Sequence, residues 1–141
     1  VQEEFGLFGA LTSAYKIEPD WAIVVDVTST DEFSEHPTKR LGKGPCLTIK
    51  DADTITSKCL NNWIRDIAQK KMIKLQLEVT DVGTTDAFNI SVTKGGVPST
   101  VIGVPIRNLE TTISIAHKRD ISDAIELLTE LLRKPPVKCL V

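Results

Sequence analysis

The sequence is poor in the residues that announce familiar chemistries. Histidine occurs twice in 141 residues, at His36 and His117, and cysteine three times, at Cys46, Cys59 and Cys139. The cysteines are odd in number and widely spaced, with no Cys-x-x-Cys pair. That excludes a zinc ribbon and predicts reduced, packing thiols of a cytosolic protein. There is no G-x-S-x-G, no P-loop and no G-x-G-x-x-G, so nothing marks a serine hydrolase or a nucleotide cradle. No apolar run approaches the roughly 18 residues that cross a bilayer. Neither charge sign dominates: the formal net charge is -2 and the isoelectric point near 5.7, which argues against nucleic acid or an anionic membrane as the main partner. Internal repeats, low-complexity segments and linker-like stretches are all absent.

What is present suits a single domain. A chain of this length buries about two-thirds of its unfolded surface, and 41% hydrophobic with 26% charged residues is ordinary for a globular protein. Residues 5–16 predict a short helix, its propensity lowered by Gly6 and Gly9. Ala22–Val27 is an apolar, β-branched run interrupted only by Asp26, the pattern of a buried central strand. A polar loop follows from Thr28 to Lys43, then a short strand at Cys46–Lys50. Residues 54–57 open a helix to about Lys71, with Cys59, Leu60, Trp63, Ile64, Ile67 and Ala68 on one face. Ile73–Val79 alternates apolar and polar residues with period two and predicts a strand. A helix is expected from about Thr85 to Thr93, ended by Gly95-Gly96. A buried strand is expected over Ser99–Pro105, and a short one near Ile113–Ala116. Asp120 reads as the N-cap of a helix over Ile121–Arg133, with Ile121, Ala124, Ile125, Leu128, Leu131 and Leu132 as its apolar stripe. Strands alternating with helices predict an α/β fold with a mainly parallel sheet covered on both faces.

Four places carry candidate chemistry. The adjacent carboxylates Glu3 and Glu4 precede a helix; one can bind a cation while the other takes a proton from water, or both can be a solvated pair favoured by the helix dipole. Asp26, inside an apolar strand, is costly to bury unless a cation or hydrogen bonds compensate it. It is either a ligand at a strand end or an acceptor of backbone N–H groups. Asp86, in Thr84-Thr85-Asp86-Ala87, sits at a turn-to-helix junction, as a helix cap or a pocket residue. Glu110 lies in the loop after Val101–Val104 and alone is an ordinary surface acid. The two histidines read as solvated, and Trp21 and Trp63 as packing residues.

Taken together and in order, these segments resemble a known family. Val1-Gln2-Glu3-Glu4-Phe5-Gly6-Leu7-Phe8-Gly9-Ala10 is similar to the VQEEVGLRGA signature of the TET and FrvX-type metalloaminopeptidases of the zinc exopeptidase clan. Asp26-Val27-Thr28 follows the family's IDVT, Leu41-Gly42-Lys43-Gly44 its LGKG, and Gly83-Thr84-Thr85-Asp86-Ala87 its GGTDA. Gly96-Val97-Pro98, Val104-Pro105-Ile106-Arg107 and Arg119-Asp120 complete the series. The resemblance implies a three-layer, phosphorylase/hydrolase-like α/β domain. It implies a site for two divalent ions, zinc or cobalt, and removal of N-terminal residues from peptides. Cytoplasmic members often form hollow homo-oligomers, and some relatives are labelled endoglucanases. Position by position, Glu3 falls on the general base, Glu4 and Asp26 on metal ligands and Asp86 on the substrate side. Glu110 falls where the family's R-Y-x-H places its last metal-binding His, exchanging a neutral ligand for an anionic one. The first His ligand, the bridging Asp and an inserted dimerisation domain belong to a part of the family that would precede Val1. Residues 1–141 are therefore expected to be the C-terminal portion of a catalytic domain. Two other functions remain open: a non-catalytic binding or assembly module, and a glycoside hydrolase using Glu3 with a second carboxylate.

Overall fold

The computed structural model describes residues 1–136 and 139. In chain order the elements are α1 (Phe8–Ile17), β1 (Ala22–Ser29), β2 (Cys46–Lys50), α2 (Lys58–Lys70), β3 (Gln76–Val79), α3 (Ala87–Ser91), β4 (Ser99–Arg107), β5 (Ile115–Ala116) and α4 (Lys118–Arg133). The strands form one sheet in the order β1-β4-β2-β3, with β5 pairing to β4. β1 with β4 and β2 with β3 are parallel; β2 with β4 and β5 with β4 are antiparallel. The fold is thus α/β with a mostly parallel sheet flanked by helices, as the alternation of periods predicts.

Register decides which side chains share a face. Val25 pairs with Ile102, Ile102 with Leu47, and Leu47 with Leu77, giving one row across four strands. α2 and α4 cover the middle of that face. There Leu47, Ile102, Ile64, Leu127 and Leu131 are fully buried and join Ile67, Ala68 and Ile73 in the core. Each such aliphatic side chain contributes about 1.5–3 kcal/mol. α1 packs on α3, and α3 packs against β1 and β4.

Three expectations about these elements need correction. Among the described residues β1 stands at the margin of the sheet rather than at its centre, with Val25 and Val27 54% and 44% exposed. β3 is shorter than the alternation suggests, starting at Gln76, and its pattern is inverted. Leu77 and Val79 are exposed, while the carboxylate-bearing Glu78 is buried. Finally, α1 starts only at Phe8, since Gln2, Gly6 and Leu7 hold left-handed backbone and make residues 1–7 a turn.

The helices depart in instructive ways. In α2 the Ser57 hydroxyl accepts the Leu60 N–H and the expected face is inward, except Cys59, which is exposed and disulfide-bonded to Cys139. The expectation of reduced thiols is therefore wrong for this pair; only Cys46 is free, and burial pushes its thiol up to about 12. α4 begins three residues before the expected start, and its cap is His117, whose Nδ1 accepts the Arg119 N–H at 3.2 Å. Only Ala124, Leu127 and Leu131 of its apolar residues are buried, whereas Ile121, Ile125 and Leu132 face outward. Asp120 does not cap the helix. It is fully buried and accepts the N–H groups of Gly42 at 2.7 Å and Gly44 at 2.8 Å, clamping the LGKG turn to the start of α4. Gly44 has φ +93°, and a Cβ there would lie 2.1 Å from the Lys74 carbonyl oxygen, so only glycine fits.

Replacing Asp120 by Ala strands two amides and removes two charge-assisted hydrogen bonds. Asp120→Ala should cost about 3 kcal/mol in a urea melt, while Asp123→Ala, on a less buried turn of the same helix, should cost far less.

Candidate active site

The face of the sheet opposite α2 and α4 carries a cavity of about 630 Å³. Its floor is Thr48, Val101 and Gly103, positions whose parity is opposite to that of Leu47 and Ile102. Gly103 keeps the floor open: a Cβ there would press on the Thr28 methyl at 3.1 Å. Glu3, Glu4, Asp26 and Glu110, far apart in sequence, all line this one cavity. The cavity lies over the sheet face and is bordered by residues just past strand ends, Asp51 after β2, Thr80 after β3, and Leu109 and Glu110 after β4.

Each candidate residue is placed differently. Glu3 and Glu4 sit in the turn before α1. Asp26 lies half-buried within β1, and its Oδ1 accepts the neighbouring Val27 N–H at 2.7 Å. The burial cost expected for it therefore does not arise. Glu110 is exposed at the rim and, like Asn108, adopts left-handed backbone, with φ of +60° and +59°. Asp86 borders an adjoining hollow with Val1, Gln2 and Phe8 rather than the main cavity. It stands at the start of α3 but makes no capping hydrogen bond, and its Oδ1 is buried with no partner.

The electrostatics are one-sided. Burial and then the carboxylates of Asp26, Glu4 and Asp86 hold the Glu3 carboxyl above its ordinary range. The one lysine identified in the lining of the floor, Lys39, is already committed. Its Nζ donates to Glu78 Oε1 at 2.6 Å and to Thr28 Oγ1 at 3.2 Å. Thr28 Oγ1 donates to the same oxygen at 2.5 Å, and Thr48 Oγ1 to Glu78 Oε2 at 2.7 Å. Burial raises the Glu78 carboxyl, but these three donors outweigh it and the net displacement is downward.

Sequence reasoning missed this ion pair, as it missed Asp51, whose Oδ1 accepts the Asp53 and Thr54 N–H groups while Oδ2 has no partner. No local signal marks Glu78 as the buried member of its strand, because its partners lie 30 to 50 residues away in the chain. The histidines are peripheral, His36 exposed and His117 a helix cap. Trp21 and Trp63 pack edge to face at 5.7 Å, as expected.

The family pattern of M42 glutamyl aminopeptidases matches residues 1–127. The chain belongs to the M42 family. It is 33% identical over 141 residues to a lysyl aminopeptidase of Pyrococcus furiosus, covering 95% of this chain and 39% of that one. An aminopeptidase from the archaeon Desulfurococcus kamchatkensis superposes with a TM-score of 0.93 at 35% identity, covering 99% of this chain and 41% of that one. A TET peptidase of Pyrococcus horikoshii that can assemble into a tetrahedron or a large octahedral shell superposes with a TM-score of 0.75 at 30% identity, over 93% of this chain and 38% of that one. This M42 chain therefore spans about two-fifths of the length of the curated relatives it matches.

M42 enzymes are metallopeptidases, which calls for donors suited to a divalent cation. In kind the residues fit: hard carboxylate oxygens, mutual repulsion at Glu3 and an orphaned oxygen on Asp86 all favour an added positive charge. In number they fall short. Among the described residues no group of three or more His, Cys, Asp or Glu side chains is arranged to hold a metal ion.

The Glu78 ion pair generates a pH-dependent prediction. A carboxyl held below its ordinary value of 4.5 stabilises the fold fully above that value and loses the contribution as pH falls through its folded pKa. Glu78→Gln leaves Lys39 buried without a counter-ion, so it should cost about 3–5 kcal/mol at pH 7. Urea melts should show that difference shrinking progressively as pH falls below 4.5.

Proposed function

We infer that this chain is one portion of a metal-dependent aminopeptidase, contributing the general base and part of the ligand set. The observation that carries this reading is the meeting of Glu3, Glu4, Asp26 and Glu110 in one cavity of a chain that belongs to the M42 family. Glu4, Asp26 and Glu110 would hold divalent zinc or cobalt together with ligands from outside the 141 residues. Such ions, when bound, polarise a peptide carbonyl and acidify water. Glu3 takes the proton from the attacking water and returns it to the leaving amine; a carboxyl raised by burial and three neighbouring acids is better suited to that exchange than an ordinary one. Asp86, beside Glu3 and with a free oxygen, binds the substrate side. The substrates are peptides cleaved at the N-terminus, and the complete protein works in the cytoplasm as a homo-oligomer. For this last point the support is the assembling TET relative; in addition, no described helix is long and apolar enough to cross a membrane.

A second reading, a relative without catalysis that serves in binding or assembly, is favoured by one feature. Glu110 stands in place of a neutral ligand, exposed and in left-handed backbone.

The 141-residue chain alone should show no turnover of a chromogenic aminoacyl substrate, with or without zinc or cobalt. A chimera joining it to the preceding portion of the Pyrococcus furiosus relative should be active and chelator-sensitive. Glu3→Gln in that chimera should lower the rate by about 10²–10⁴-fold. If the chimera is inert but Glu110→His restores turnover, the non-catalytic reading prevails. Turnover by the chain alone that survives a chelator would contradict both.

A further inference from the structure

Successive points at and beyond the end of α4 meet α2 in reverse order. Glu130 Oε2, in the last turn of α4, accepts Lys71 Nζ at 2.9 Å, where α2 ends. The carbonyl of Lys134, just past α4, accepts the Trp63 indole N–H at 3.1 Å, about two helical turns further back. Cys139 then joins Cys59, one turn further still, in a disulfide whose Cα atoms stand 5.5 Å apart, an ordinary span for such a bond. Cys59 and Trp63 are four residues apart and share one face of the helix. Trp63 also packs edge to face on Trp21, ahead of β1, at 5.7 Å. One face of α2 therefore receives both the chain entering β1 and the chain leaving α4.

These attachments are unequal. The Trp63–Lys134 hydrogen bond is exposed, and such a bond adds little. The disulfide joins residues 80 apart, and closing so long a loop removes much of the unfolded chain's freedom. Cys139 is itself buried, so the bond draws a packed residue onto the start of α2. It also lies beyond residues 1–127, those that the family pattern matches, and the aminopeptidase reading gives it no task.

We propose that Cys59 and Cys139 form a reversible redox clasp that fastens the chain beyond α4 to α2, so that the stability of the domain follows the thiol–disulfide state of its surroundings. The inference goes beyond the proposed activity and depends on no ligand assignment. Closure is an exchange with a low-molecular-weight disulfide. The Cys59 thiolate attacks one sulfur of that disulfide, forms a mixed disulfide and expels one small thiolate. The Cys139 thiolate then attacks the Cys59 sulfur and expels the second. The two protons lost by the cysteines end on the two small thiols released. Opening is the reverse, two small thiols being oxidised to their disulfide.

The test equilibrates the folded 141-residue chain in glutathione disulfide or in excess reduced glutathione, then alkylates it under denaturing conditions and weighs it. The oxidised sample should carry one alkylated cysteine, Cys46, and the reduced sample all three. The open form should melt about 10 °C lower, and the Trp63 indole resonance should shift between the two forms. Cys59→Ser and Cys139→Ser should melt like the open form in either buffer, whereas Cys46→Ser should keep the full difference between buffers. Three alkylated cysteines in the oxidised sample would show that the pair does not close, and would overturn the proposal. A bond that forms but withstands reduced glutathione in the folded chain is a permanent staple and refutes reversibility. A bond that opens while the melting temperature and the Trp63 resonance stay unchanged fastens nothing, and the clasp is refuted.

Discussion

The arrangement of the cavity depends on one buried carboxylate. Glu78 receives Lys39 and Thr28 on one oxygen and Thr48 on the other, so a single side chain joins β1, β2, β3 and the loop between β1 and β2. Taking a charge out of water is costly, and this one is retained because every neighbour is a donor. Glu78 also determines what the floor can offer. By absorbing Lys39, it leaves Glu3, Glu4, Asp26 and Glu110 without a matching positive charge.

That imbalance links fold to chemistry. A packed domain does not gather carboxylates in a half-enclosed space for stability, since their mutual repulsion opposes folding. The raised Glu3 carboxyl and the unpartnered Asp86 oxygen both register the deficit. Divalent cations would relieve it, and the family to which the chain belongs uses them. The described residues alone do not complete a coordination shell, which fits a chain that aligns with two-fifths of its relatives' length.

Much of this was legible in the sequence, unevenly and for physical reasons. Helices α2 and α4 and strands β2 and β4 follow from local periodicity, which depends on short-range geometry. Edge or centre does not, because a strand's neighbours are set by distant segments; hence β1 reads as central although it lies at the margin of the sheet that the described residues form. The Glu78 inversion was hidden for the same reason, its partners lying 30 to 50 residues away. Asp120 looked like a cap because caps are local, whereas its partners Gly42 and Gly44 are more than 70 residues distant. The Cys59–Cys139 pairing, separated by 80 residues, carries no spacing signal at all. The ordered motifs singled out Glu3, Glu4, Asp26 and Glu110, which line one cavity, and Asp86, which lies next door.

The central claim is that these four carboxylates form one site, Glu3 as base beside the ligand positions Glu4, Asp26 and Glu110, rather than separate surface acids. Paramagnetic broadening tests it most directly: amide resonances of the 141-residue chain, followed as Mn²⁺ is added in substoichiometric steps. The account predicts that the signals of Glu3, Glu4, Asp26 and Glu110 fade together and first, with Asp86 close behind and the exposed acids of α4 unaffected. Independent fading of the four, or uniform loss across all exposed carboxylates, would contradict it.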